Sequence, residues 1–266
     1  MTVLTIFIIS IVCGVGTMIL SPLQNYLNLL WLIPLYIFAV LLVLLLIIYL
    51  CVFRINTAVE PKNTWRFRKR LIFILLDILV FLFGGRIHVT GKEIVPTDRK
   101  YLLVCNHIFD FDPAVLMYVL KSDIGFIGKK EIYETMPVVG KIIHMFYGLP
   151  IDRENNRSAV ETIGKAAKQI ASGKTSMGIF PEGYCSKDGK LQPMRNGAFK
   201  IAKKAKCPIV VATISDTRKI VKNMFRRHTD VYVKFVEVIS AEEVAELDTA
   251  QIGEKVYDIM SRNISL

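Results

Sequence analysis

Residues 1–53 contain no Asp, Glu, Lys or Arg, so every charge behind the net +11 lies in residues 54–266. A stretch of that length without charge excludes a solvated domain at the N-terminus and describes a membrane anchor. Cysteine is scarce: the five residues show no CxxC and no ligand-like spacing, so neither a disulfide framework nor a zinc centre is expected. Histidine is scarcer still, at four, and His88, His144 and His228 stand at no ligand-like spacing to His107, which argues against a metal hydrolase. A positive n-region and a small-x-small cleavage site are both missing from the start, which disfavours a cleaved signal peptide. Internal repeats and low-complexity segments are lacking as well.

What is present at the N-terminus is two apolar runs. Leu4 to Leu20, with Gly14 and Gly16, is near the minimum for a crossing, and Leu30 to Phe53 is long enough to cross with some tilt. SPLQNYLN between them reads as a turn, so residues 1–56 are expected to form a two-helix transmembrane hairpin. Arg54, Lys62, Arg66, Arg68, Lys69 and Arg70 follow, and positive charge beside a span stays cytoplasmic, which places the rest of the chain on the cytoplasmic face of the cell membrane. Residues 57–85 form a basic, amphipathic segment. Its apolar run LIFILLDILVFLF is too short to span and carries Asp77 at its middle. Residues 64–83 therefore read as a helix at the inner leaflet, with a core helix of the following domain as the alternative. Beside an anchor, anionic lipid rather than nucleic acid is the expected partner of this charge.

From residue 86 the texture changes. RIHVT (86–90), YLLVC (101–105), GFI (125–127), LPI (149–151), MGIF (177–180), PIVVATI (208–214) and VYVKFVEV (231–238) read as strands. DPAVLMYVL, RSAVETIGKAAKQIASG and RNGAFKIAKKAK read as helices between them, and SAEE (240–243) opens a last helical region reaching about Asn263. Residues 86–266 are thus expected to be one α/β domain, a mixed sheet flanked by helices.

Within it, VCNHIFDFDPAV (104–115) sets His107 just past a strand end, where α/β sheets place their ligand sites. Two readings stand. Asp112 before Pro113 is a helix N-cap signature, and the five-residue offset also lets Asp112 return to the His107 imidazole as the partner of a general base. Cys105 is a conceivable nucleophile, although a strand-end cysteine more often fills a core. Further along come FIGKKE (126–131), YGLPIDR (147–153), FPEG (180–183) and KCPIVVAT (206–213).

In this order the blocks resemble the glycerolipid acyltransferase family, most closely its 1-acylglycerol-3-phosphate acyltransferases. Asn106, His107 and Asp112 match the family's Asn-His-x4-Asp block, which selects Asp112 over Asp110. Ile151, Asp152 and Arg153 match the second block, Phe180 to Gly183 the third, and Pro208 to Ala212 the fourth. Lys129 matches the lysine of the family's Ala-Lys-x-Glu segment, with Gly128 in place of the alanine. The resemblance implies acyl transfer from acyl-CoA or acyl carrier protein to lysophosphatidic acid, without metal, cofactor or acyl-enzyme. It makes His107 the base and Asp112 its partner, and it puts Asn106, Lys129, Arg153, Glu182, Gly183 and Pro208 on the substrate side. One departure concerns the acceptor. The third block often continues Thr-Arg, whereas here Tyr184 and Cys185 follow, so a phosphate would have to be met by Arg153, Lys129, Lys187, Lys190 or Arg195. Another lysophospholipid or a lyso-aminolipid is the alternative acceptor, and a non-catalytic lipid-binding tether the remote alternative.

Overall fold

The computed structural model describes residue 12 and residues 32–61, 65–186, 188–223 and 228–264. Residue 12 apart, the first expected span and the turn after it lie outside these residues, as does Lys187. One long apolar helix, α1 (Leu32–Phe53), precedes the domain. Its 22 residues make a rod of about 33 Å, enough for a hydrocarbon core. Along most of its length the apolar side chains are exposed, Leu35, Phe38, Leu42 and Leu46 among them. Only the C-terminal end joins the protein: Ile48, Val52 and Ile55 are buried against Leu71, Ile72, Met145 and Phe146.

The next helix, α2 (Arg66–Leu82), has two faces. Its inner face buries Leu71, Ile72 and Ile78. Lys69, also buried, pairs with Asp123 and lies over the rings of Phe146 and Tyr147. Asp77, awkward for a bilayer, turns to the domain and meets Lys121 at 2.6 Å. Phe67 near its start and Phe81 and Leu82 at its end are exposed.

Then the alternation begins, with β1 (Gly85–Thr90), β2 (Leu102–Cys105), α3 (Asp112–Leu120), β3 (Ile124–Lys129), α4 (Lys130–Thr135), α5 (Pro137–Met145) and β4 (Leu149–Ile151). It continues through α6 (Asn156–Ala171), β5 (Ser176–Ile179), α7 (Lys200–Ala205), β6 (Ile209–Ser215), α8 (Thr217–Asn223) and β7 (Thr229–Ile239), and closes with α9 (Ala241–Glu246) and α10 (Thr249–Ser261). All seven expected strands form, in a single sheet of order β1-β7-β6-β2-β5-β3-β4. The five from β6 to β4 run parallel, and β7 is antiparallel to β6.

The central strands read as unbroken apolar runs because both faces are covered. Leu102, Val104, Ile209 and Val211 face the cluster beneath α6, α7 and α10, while Leu103, Cys105, Val210 and Ala212 face the one beneath α3 and α8. Helix α6 starts at Asn155, whose side chain accepts from Ser158 N, and α10 starts in a full capping box of Asp248 and Gln251. Ser240 caps α9 by accepting from Glu243 N.

Candidate active site

Because five neighbouring strands are parallel, their C-terminal ends share one edge of the sheet. The segment after β2 carries His107, the end of β3 Lys129, the segment after β4 Arg153, the segment after β5 Phe180 to Cys185, and the start of α8 Thr217. Residues up to 110 positions apart thus meet in one loop cluster, as when Arg218 donates to the carbonyls of Ile108 and Ser186.

His107 Nδ1 lies 2.8 Å from Asp112 Oδ2. The same carboxylate, fully buried, accepts from the backbone N–H groups of Ile108 (2.7 Å) and Phe109 (2.9 Å), and its other oxygen accepts from Thr217 Oγ1. Four donors converge on it. Asp112 is therefore spent as an acceptor, which puts the imidazole proton on Nδ1 and leaves the lone pair on Nε2, on the side of Cys185. The cap reading fails: Asp112 is the first residue of α3, the cap position is Phe111, and no side chain caps it. The carboxylate points back into its own loop instead. A stack holds the ring plane, His107 on Phe180 at 4.1 Å and Phe180 on Phe126 at 5.7 Å. Gly178 makes this possible, since a Cβ there would stand 2.4 Å from the Phe126 ring.

Glu182 is turned inward, 1% exposed. One oxygen accepts from His107 N at 2.6 Å and the other from Gln192 N at 2.8 Å, so it ties the loop after β2 to the loop after β5. Burial raises its pKa, and the two backbone N–H groups pull it back. Gly183, at φ +81°, is in a left-handed conformation suited to glycine, and a Cβ there would stand 2.6 Å from Arg195 Nε.

Arg195 therefore lies against Gly183 of the third block. Its charge, after burial, is the next largest cause depressing the pKa of the half-buried Arg153. Among the described residues neither guanidinium makes an ion pair. Lys129 sits on the same edge, register partner of Ile151, but is engaged with Glu131 at 3.3 Å. Arg195 was one of five basic residues open to the phosphate role on sequence grounds.

Two of the expected substrate-side residues are used differently. The buried Asn106 exchanges two hydrogen bonds with the Ile214 backbone (2.9 and 2.8 Å), pinning the loop after β2 to β6. Pro208 is at the opposite end of the sheet, ahead of β6, where its carbonyl accepts from Leu102 N. It is not brought to the cluster. Cys105 is buried beneath α3, and burial first, then the Asp112 charge, raises its thiol pKa well above the usual range, so it fills the core.

Thr217 and Cys185 are the neighbours that sequence reasoning missed. Cys185 Sγ lies 3.2 Å from His107 Nε2 and 3.4 Å from Asp110 Oδ1. Burial, with Asp110 next, pushes its thiol up to about 12.

The sequence model of the Acyltransferase family matches residues 86–215, the span holding β1 to β6 and every residue of the cluster except Thr217 and Arg218. Residues 86–215 are a domain of the acyltransferase family. Curated relatives agree. It is 27% identical to a 1-acyl-sn-glycerol-3-phosphate acyltransferase of Limnanthes alba over 72% of this chain and 68% of that one. It is also 27% identical to one of Borreliella burgdorferi over 71% and 77%, and 25% identical to the human alpha enzyme over 80% and 76%. The fold is similar to that of the crystal structure of the 1-acyl-sn-glycerophosphate (LPA) acyltransferase PlsC from Thermotoga maritima, with TM-score 0.58 and 20% identity over 82% of this chain and 86% of that one. In this acyltransferase the family's Asn-His-x4-Asp block is the His107–Asp112 couple, and its Phe-Pro-Glu-Gly block is the stack and staple that hold the couple in place.

Proposed function

We propose that this chain moves an acyl group from an acyl thioester, acyl-CoA or acyl carrier protein, to the 2-hydroxyl of 1-acylglycerol-3-phosphate, giving phosphatidic acid. The observation that carries the reading is the couple itself: Nδ1 held by a four-donor carboxylate, which leaves Nε2 with its lone pair as the acceptor. His107 Nε2 takes the proton as the acceptor oxygen attacks the thioester carbonyl. The C–S bond then breaks, and the leaving thiolate takes that proton back from the imidazolium. Asp112 balances the charge in between. A base of this kind contributes about 10²–10⁴ in rate, with positioning supplying more. No covalent acyl-enzyme, metal or cofactor is required.

The relatives' names supply the acceptor, and the cations support it. Arg153 and Arg195, near enough for their charges to interact and in no ion pair among the described residues, suit a phosphomonoester, because guanidinium pairs with phosphate through a planar fork. Arg195 over Gly183 provides the basic group that Cys185 does not. Helix α1 is read as a membrane span with the domain on the cytoplasmic side, and the exposed apolar residues at the two ends of α2 as resting on the leaflet. The lipid acceptor then reaches the site without full extraction, which would cost about 0.8 kcal/mol per CH₂.

The test is acceptor choice. Purified protein is offered acyl-CoA with lysophosphatidic acid or with a lysophospholipid lacking a phosphomonoester, and products are read by mass. Phosphatidic acid is expected, and Arg195→Gln should lower kcat/KM for lysophosphatidic acid by about tenfold or more, the worth of one charged hydrogen bond. Equal turnover of both acceptors, unchanged by Arg195→Gln, contradicts the acceptor assignment.

A further inference from the structure

The loop cluster holds a constellation of which acyl transfer uses His107 alone. His107 Nε2, Cys185 Sγ and one Asp110 carboxylate oxygen lie within 4.8 Å of one another. Two of the edges are 3.2 Å (Cys185 to His107) and 3.4 Å (Cys185 to Asp110). Zn–S of about 2.3 Å and Zn–N or Zn–O of about 2.0–2.2 Å at tetrahedral angles require ligand–ligand edges of about 3.5 Å. The two edges at Cys185 therefore already stand near tetrahedral spacing, with the third within 4.8 Å. The donors are thiolate, imidazole and carboxylate, a set that suits zinc-class ions and not calcium or magnesium. The outer support is present too: His107 Nδ1 is bound to a buried carboxylate, the arrangement that orients a metal-ligating imidazole. Asp110 is exposed and Cys185 half-buried, so an ion can enter from solvent. Chain position hides the site, since Cys185 lies 78 residues from His107.

We propose that His107, Asp110 and Cys185 form an inhibitory site for a zinc-class divalent ion, which on binding takes the Nε2 lone pair out of use. The cysteine proton leaves to solvent as Sγ coordinates, and the fourth position is open to water. The ion is a brake on the reaction and no part of it. The metal site stands on geometry alone, and only its inhibitory effect rests on His107 being the base.

The experiment uses the purified full chain in detergent. Cobalt(II) replaces zinc as a spectroscopic probe, and thiol release is measured against zinc, with each variant normalised to its own zinc-free rate. A thiolate-to-cobalt charge-transfer band is expected in the parent protein and lost in both Cys185→Ala and Cys185→Ser. In Asp110→Asn the cobalt affinity should fall by about tenfold, as for other ligand-shell changes. Zinc inhibition should weaken at least as much in the Cys185 variants. No band at excess cobalt in the parent protein overturns the proposal, as does a band and an inhibition that persist in Cys185→Ala. A band that depends on Cys185 while bound metal leaves turnover intact upholds the site and overturns its inhibitory role, and with it the base assignment of His107.

Discussion

Asp112 receives one imidazole N–H, two backbone N–H groups and one hydroxyl, all in a fully buried position. Thr217 is the donor that no motif announces, because it comes from α8, 105 residues away. Thr217→Val keeps the shape and removes the hydroxyl, leaving one carboxylate oxygen short of a partner. The expected cost is about 1–3 kcal/mol in stability, together with a fall in kcat at similar KM, read from thermal unfolding and steady-state rates. Cys185 gives a second prediction at this scale. With its thiol pushed up to about 12, the protonated form dominates throughout neutral pH. Its alkylation at pH 8 should be slower than that of a free cysteine by on the order of a thousandfold and climb steadily with pH, which peptide mapping by mass would show. A fast reaction at neutral pH would place the thiol in a different environment.

Between the strands, Glu182 acts as a staple. Its raised pKa means that the folded chain binds a proton more tightly than the unfolded one, so its contribution to stability is complete below the free-glutamate value and is lost as pH rises through the folded value. The stability of Glu182→Gln relative to the parent should therefore improve as pH rises across that window, seen in unfolding curves at several pH values. Its activity should still fall, because an amide cannot accept from both His107 N and Gln192 N without turning its NH₂ toward a donor. At this scale the central strands were legible because burial on both faces writes continuous apolar runs, β7 because its burial alternates, and α6 because its helical spacing ends beside Gly173. Helices α4, α5 and α8 were not. They are short, and α4 and α5 abut at Met136 and Pro137 without a clear break in polarity. Of the site, the blocks were readable because each sits at a strand end. What the sequence could not show was orientation: that Glu182 and Asn106 turn inward to backbone, that Pro208 lies at the other end of the sheet, and that Arg195 reaches over Gly183. Those depend on loop geometry, which carries no periodic signal.

For the whole molecule, α1 and α2 decide where the chemistry happens. The apolar joint of Ile48, Val52, Leu71 and Phe146 fixes α1 to the domain, so the site has a set height relative to any bilayer that α1 crosses. Arg66 and Arg70 are exposed at the start of α2. At about 1 kcal/mol each near an anionic surface, replacing both with Gln should weaken binding to phosphatidylserine vesicles by about thirtyfold at low salt, with less effect at high salt. Sedimentation with vesicles measures this. The central claim is that His107 activates the hydroxyl of a leaflet-resident lysophosphatidic acid. The most direct measurement is thiol release from acyl-CoA by the full chain in vesicles, with and without lysophosphatidic acid, for the parent protein and His107→Ala side by side. The account predicts acceptor-dependent release in the parent and a loss of at least a hundredfold in the variant. Undiminished acceptor-dependent release by His107→Ala would contradict it.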